Sequence, residues 1–222
     1  MATKKYYVVI SDLISMSTEF VESGKNDPFY DGTINCAKFD AVGLFAIYSR
    51  THTGDENGKT IYKVGMVHLA DMETGEIINV GLAETLAGIK TDICYLLLTK
   101  KEEDHYEKES SSEWSAKDCY ILTGRKHNGD ENGSTTIYSR KLEAHRAIIF
   151  GKDETLELKK ENEPISIECK ESAGTKVEKE VFSKGNVSFY LPITGRTHSG
   201  DENGKTTTYF TKYYIEIEVD DK

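Results

Sequence analysis

Three prolines and a single tryptophan are few for 222 residues. No Pro-rich or long Gly/Ser-rich stretch divides the chain, which predicts one folded body rather than two domains on a linker. At this length about 70% of the unfolded surface is buried on folding, enough for a core without staples. No apolar run approaches the roughly 20 residues of a membrane-spanning helix. The start, "MATKKYYVVISDL", has two lysines but too short an apolar stretch for a secretory signal, and the small-residue cleavage pattern is missing. A chain that stays in the cytoplasm, or leaves it without a classical signal peptide, is therefore expected. Basic residues are outnumbered, 28 Lys plus Arg against 38 Asp plus Glu, for a net charge of −10. That balance argues against nucleic acid and against anionic lipid as partners, and it favours solubility. The four cysteines, Cys36, Cys94, Cys119 and Cys169, form no Cys-x-x-Cys pair, and each lies in or beside an apolar run. Buried free thiols are expected rather than disulfides or zinc ligands.

Against this background one eleven-residue pattern occurs three times. "RTHTGDENGKT" runs from Arg50 to Thr60, "RKHNGDENGST" from Arg125 to Thr135 and "RTHSGDENGKT" from Arg196 to Thr206. Eight positions are identical in all copies, giving R-x-H-x-G-D-E-N-G-x-T, and the motif histidines lie 75 and 71 residues apart. Three units follow, about 1–70, 71–146 and 147–222, with shared patterning but little identity outside the motif. The flanks are rich in β-branched and aromatic residues: "GLFAIYS", "DCYILTG" and "VSFYLPITG" before the motifs, "IYKVGMVHL", "TIYSRKLEA" and "TTYFTKYYIEIEV" after them. In the last of these, Tyr209, Thr211, Tyr213, Ile215, Ile217 and Val219 alternate with more polar neighbours, the period of a strand. Asn-Gly in each motif supplies the backbone freedom for a reversal, so each motif is expected at the tip of a β-hairpin. "ETLELKK" and "EPISIECKE" also alternate, Gly81–Lys90 has the composition of a short helix, and Lys100–Glu113 reads as a solvated charged loop. The expected fold is all-β, a single domain of three pseudo-equivalent hairpin units with approximate three-fold symmetry, as in a trefoil, prism or barrel.

The Gly-Lys-Thr in two copies imitates a phosphate-binding loop, but the chemistry is wrong. Three residues rather than four separate Gly54 from Gly58 and Gly200 from Gly204, and the second copy has Ser134 in place of Lys. Asp and Glu would face the phosphate and repel it. A calcium loop spaces its oxygen donors at alternate positions, whereas those of Asp-Glu-Asn-Gly are contiguous. A zinc site would need further ligands, and His68, His105 and His145 do not recur with the repeats. No metal, cofactor or catalytic residue is expected. His beside Asp and Glu suits general acid–base work, but three near-copies of one loop do not resemble a single asymmetric active site.

Repetition of a site favours multivalent binding, in which weak contacts sum to avidity. Asp and Glu accept from hydroxyls, while Asn, His and Arg donate, a set suited to a polyhydroxylated ligand. Each motif is electrically neutral: Arg50 and Lys59 balance Asp55 and Glu56, Arg125 and Lys126 balance Asp130 and Glu131, and Arg196 and Lys205 balance Asp201 and Glu202. A neutral sugar therefore fits better than an anion or an amine. The expected contacts are Arg50, His52, Asp55, Glu56 and Asn57; Arg125, His127, Asp130, Glu131 and Asn132; and Arg196, His198, Asp201, Glu202 and Asn203, with Arg either a contact or the group that holds the carboxylates. Tyr62, Tyr138 and Tyr209 follow the motifs and offer either a ring face for a sugar or core packing. The expectation is a lectin- or hemagglutinin-like, glycan-binding protein that is not an enzyme. Repeated loops that meet neighbouring subunits in a homo-oligomer, or a sugar-targeted toxin component, are the alternatives. A purely structural origin, with Arg pairing inside the loop and Thr closing it onto the backbone, stands beside these.

Overall fold

β-Branched and aromatic residues at alternate positions pack well on a pleated, half-buried surface. Strands accordingly dominate the computed structural model, which describes residues 2–11, 20–23, 44–53, 59–78, 93–128, 133–147, 151–170, 176–200 and 204–219, with no α-helix among them. The first strands are β1 (Ala2–Ser11), β2 (Phe20–Ser23), β3 (Phe45–Thr53) and β4 (Lys59–Ala70). The middle of the chain carries β5 (Ile93–Tyr106), a 3₁₀ turn (Glu109–Ser111), β6 (Glu113–Ser115), β7 (Tyr120–Asn128) and β8 (Ser134–Ala147). The remainder forms β9 (Glu154–Leu156), β10 (Lys159–Lys160), β11 (Ile165–Lys170), β12 (Lys176–Glu178), β13 (Glu180–Lys184), β14 (Val187–Tyr190), β15 (Ile193–Ser199), β16 (Lys205–Phe210) and β17 (Tyr213–Val219).

Three antiparallel sheets result, and each contains one motif hairpin. The largest has the order β10-β17-β1-β4-β3-β12, with β14 on β1, β13 on β14 and β2 on β4. The second runs β11-β16-β15-β6, and the third β5-β8-β7 with β9 on β8. One core cluster, including Ile10, Leu69, Ile121, Leu142 and Ile215, joins the large sheet to the second hairpin. A second cluster holds Ile47 and Tyr62 of the first hairpin, Leu122 and Ile137 of the second, and Ile193 and Phe210 of the third. The three stems therefore share one apolar interior. Cys94 is a buried free thiol, as expected from its apolar flank, and Cys119 is a free thiol only half-buried, while Cys36 and the side chain of Cys169 lie outside the described residues.

Four expectations change or lie elsewhere. Lys100–Glu113 is not a loop: its first half belongs to β5, paired along its length with β8, and the rest contains the 3₁₀ turn and the start of β6. Its charges misled because a strand with one solvated face tolerates them, as in the Lys101–Glu103 pair at 2.8 Å. The long alternating run after the third motif is two strands in two sheets. The chain crosses at Thr211–Lys212, so the buried phase shifts from Thr206, Thr208 and Phe210 to Tyr213 and Ile215, and Tyr209 falls on the opposite face from that expected. "ETLELKK" likewise divides between β9 on β8 and β10 on β17. Gly81–Lys90 lies outside the described residues.

His68 sits in β4 opposite Val9 and is buried, and neither ring nitrogen finds a hydrogen-bond partner among the described residues. Burial disfavours the imidazolium and lowers its pKa from 6.5 to about 4. The unfolded chain therefore takes up a proton that the folded chain refuses between those two values. Stability contributed by neutral His68 is complete above pH 6.5 and declines as the pH falls toward 4, by about 3 kcal/mol in all. Urea unfolding at pH 7 and pH 4.5 measures this decline, and His68→Gln is expected to flatten it.

Candidate functional site

The three motif hairpins share one register, in which the motif Arg and His alternate along the first strand and so point to one side. His52 pairs with Thr60, His127 with Thr135 and His198 with Thr206. Thr53 pairs with Lys59, Asn128 with Ser134 and Ser199 with Lys205, so five residues, Gly-Asp-Glu-Asn-Gly, form every tip. The reversal is thus wider than a two-residue Asn-Gly turn. At the start of the third tip Gly200 has φ +91°, and a Cβ there would lie 3.2 Å from Gly204 Cα, so this position favours glycine.

Each stem also carries a bulge at the same place, before Ser49, Gly124 and Gly195. Tyr138 and Tyr209 then lie opposite Gly124 and Gly195. A Cβ on Gly195 would come within 3.1 Å of the Tyr209 ring, so the missing side chain leaves room for the aromatic one. The first copy has Ser49 opposite Lys63 instead, and its tyrosine is one place earlier, opposite Arg50. That slip turns Tyr62 inward, where it is 2% exposed and accepts a 2.7 Å hydrogen bond from Arg125 Nη1. Tyr48, the bulge residue of this copy, stacks on Tyr190 with ring centroids 4.3 Å apart.

Inside the stems motif residues converge on a carboxylate from outside the motifs. Glu109 Oε1 receives Arg125 Nη2 at 2.5 Å and Arg196 Nη2 at 2.9 Å, and Oε2 lies 3.0 Å from His127 Nδ1. Arg50 of the first hairpin also acts on Glu109 electrostatically. Burial alone would raise the Glu109 pKa, but the charges of Arg125, Arg196, His127 and Arg50 outweigh it and hold the carboxyl well below the usual carboxylate range. Glu109 is thus a fixed negative charge through neutral and mildly acidic pH. Its turn is wedged between two tips: Glu109 N–H donates to Gly133 O at 3.0 Å, and Gly200 N–H donates to Ser110 O at 3.0 Å. Arg196 Nη1 reaches Ser112 Oγ at 3.4 Å, and His198 N–H donates to Ser112 O at 2.8 Å.

In the second and third copies the motif histidine and threonine close the stem on itself. His127 Nδ1 is 2.7 Å from Thr135 Oγ1, and His198 Nδ1 is 2.7 Å from Thr206 Oγ1. Arg125 Nη2 adds a 3.1 Å bond to the same Thr135 hydroxyl. Thr135 and Thr206 therefore each serve the imidazole of their own stem.

Of the expected contacts, Arg50, Arg125, Arg196, His127 and His198 are brought together and are buried at 3–8% exposure. His52 has the equivalent place in β3, and its side chain lies outside the described residues. So do Asp55, Glu56 and Asn57, Asp130, Glu131 and Asn132, and Asp201, Glu202 and Asn203. Arg125 and Arg196 hold a carboxylate from outside the motifs, Glu109. Glu109 escaped detection because it occurs once, inside a run of ordinary surface charges. Three recurrent arginines on inward strand faces were the signal that a shared acid is needed. Among the described residues no group of three His, Cys, Asp or Glu side chains is arranged to hold a metal ion.

Removing the charge of Glu109 while keeping its shape would leave buried guanidiniums without their counter-ion. Glu109→Gln is expected to cost about 3–5 kcal/mol of stability. The exposed neighbour change Glu113→Gln is expected to stay within about 0.5 kcal/mol. Paired denaturant titrations of the two variants measure the difference.

The chain matches no protein-family model, no curated protein and no solved structure, so its function rests on the chemistry of its own residues.

Proposed function

We propose that this chain is a multivalent carbohydrate-binding protein, lectin-like in behaviour, in which the three Gly-Asp-Glu-Asn-Gly tips take neutral sugar residues. The observation that carries the reading is the repetition itself: eight identical positions in three hairpins whose flanking strands have diverged. Asp55, Glu56 and Asn57, with Asp130, Glu131 and Asn132 and with Asp201, Glu202 and Asn203, are the proposed direct contacts. Arg50, Arg125, Arg196 and the motif histidines hold the stems from inside. An approximate three-fold arrangement of the hairpins, one per sheet, is part of the same reading.

The placement of the stems supports joint rather than separate action. The second and third tips flank one 3₁₀ turn, and Arg50 brings the first hairpin to the same carboxylate. Tips that leave the body close together suit a branched or surface-clustered glycan, where one bound sugar raises the effective concentration of the next. The net charge of −10 adds no attraction for anionic glycans. A soluble protein acting in the cytoplasm, or released without a classical signal, fits this use.

A glycan array tests the reading with the wild-type chain and a variant carrying Asp55→Ala, Asp130→Ala and Asp201→Ala together, each with and without EDTA. Wild-type binding to a defined set of neutral glycans is expected, unaffected by EDTA and lost in the triple variant. Asp130→Ala alone is expected to weaken binding to a dense glycan surface roughly tenfold or more through lost avidity. Undiminished binding by the triple variant would overturn the assignment. No binding by any form, with oligomers that dissolve on tip substitution, would instead favour tips that join subunits.

A further inference from the structure

A cleft of about 360 Å³ opens beside the third hairpin, between β15–β16, β6 and the segment that carries Lys160–Pro164. Its wall includes Tyr209, whose two counterparts have other fates. Lys101 Nζ sits 4.6 Å above the ring of Tyr138, and Tyr62 is turned into the core. The Tyr209 ring is half-buried, backed by the bare backbone of Gly195. A tyrosine placed this way presents a flat apolar face at the side of a polar cleft.

Several of the polar groups around it already have partners. Glu161 accepts from Tyr7 Oη at 3.1 Å and lies 3.3 Å from Lys212 Nζ. Asp118 lies 3.0 Å from Lys160 Nζ. Thr194 and Thr211 place their hydroxyls 2.7 Å apart in the same wall, and the Asn162 amide adds donors and an acceptor. Glu161 and Asp118 each have an ammonium beside them, and the exposed Glu113 adds a third carboxylate to the lining, so the cleft holds several acceptors with a modest negative balance. Carboxylates at the rim repel phosphate and sulfate, and the paired lysines remove the incentive for an amine. An uncharged, hydroxyl-rich molecule with one C–H face remains, which is the description of a pyranose. The volume lies within the range of small-ligand sites.

We propose that this cleft is a further saccharide subsite, distinct from the tips, in which a neutral hexose stacks on Tyr209 and gives hydroxyl hydrogen bonds to Glu161 and Asp118. The choice of a sugar leans on the carbohydrate-binding reading, whereas the site does not use the tip residues.

The test is saturation-transfer NMR and calorimetry with methyl glucopyranoside, methyl galactopyranoside, methyl mannopyranoside, lactose and maltose. The proteins are the wild-type chain, the triple tip variant, and the triple variant carrying in addition Tyr209→Ala, Tyr209→Phe or Thr197→Trp. The triple variant is expected to retain binding of at least one sugar, with Tyr209→Phe preserving it. Tyr209→Ala is expected to weaken it at least tenfold, and Thr197→Trp, which fills the cleft while keeping the tyrosine, to do the same. Residual binding that survives both Tyr209→Ala and Thr197→Trp overturns the proposal, as does a triple variant that binds none of the five sugars. Equal binding by wild-type and triple variant, abolished by Tyr209→Ala, upholds the cleft and sinks the tips.

Discussion

One buried carboxylate organises the three hairpins. Taking Glu109 out of water is unfavourable by itself, and so is taking the guanidiniums of Arg125 and Arg196 out of water. Each burial is tolerable only beside the other, at charge-assisted hydrogen-bond distance. Strands from the second and third units and the 3₁₀ turn between β5 and β6 must therefore meet at one point, and Tyr62 of the first unit joins them through Arg125. Apolar packing gives the stems a common interior, but it is not directional. The Glu109 pairs supply direction and specify which faces of the hairpins look at one another.

This arrangement gives a physical reason for part of the repetition. Arg, His and Thr of the second and third copies make the same internal closure, an imidazole on a cross-strand hydroxyl with a guanidinium in the same stem. In the third copy the first glycine of the tip, Gly200, meets a need for positive φ and for close approach to the backbone of Gly204. Asp, Glu and Asn of the tip are the positions whose recurrence the proposed ligand contacts would explain. The same stem geometry is also tuned by single residues. Glycine opposite tyrosine in the second and third copies leaves the ring outside, and serine with a one-place slip in the first draws it into the core.

The sequence by itself determined the all-β class, the three hairpins and the position of their tips, because period-two patterning and an exact repeat are local signals that need no knowledge of distant contacts. It also marked Arg50, Arg125 and Arg196 as special. Only the tertiary structure decided what those arginines hold, since Glu109 lies 16 residues before Arg125 and 87 before Arg196 and has nothing local to distinguish it. The same is true of the sheet change at Thr211–Lys212, which reverses the buried phase of an unbroken alternating run. Alternation tells which residues share a face within one strand, but not where a chain leaves one sheet for another. The charged strand β5 and the cleft at Tyr209 were hidden for a related reason: a surface charge and a half-exposed ring look alike in sequence whether solvent or a neighbouring strand lies beyond them. Pairing partners decide that, and they are set by burial and desolvation across the whole molecule.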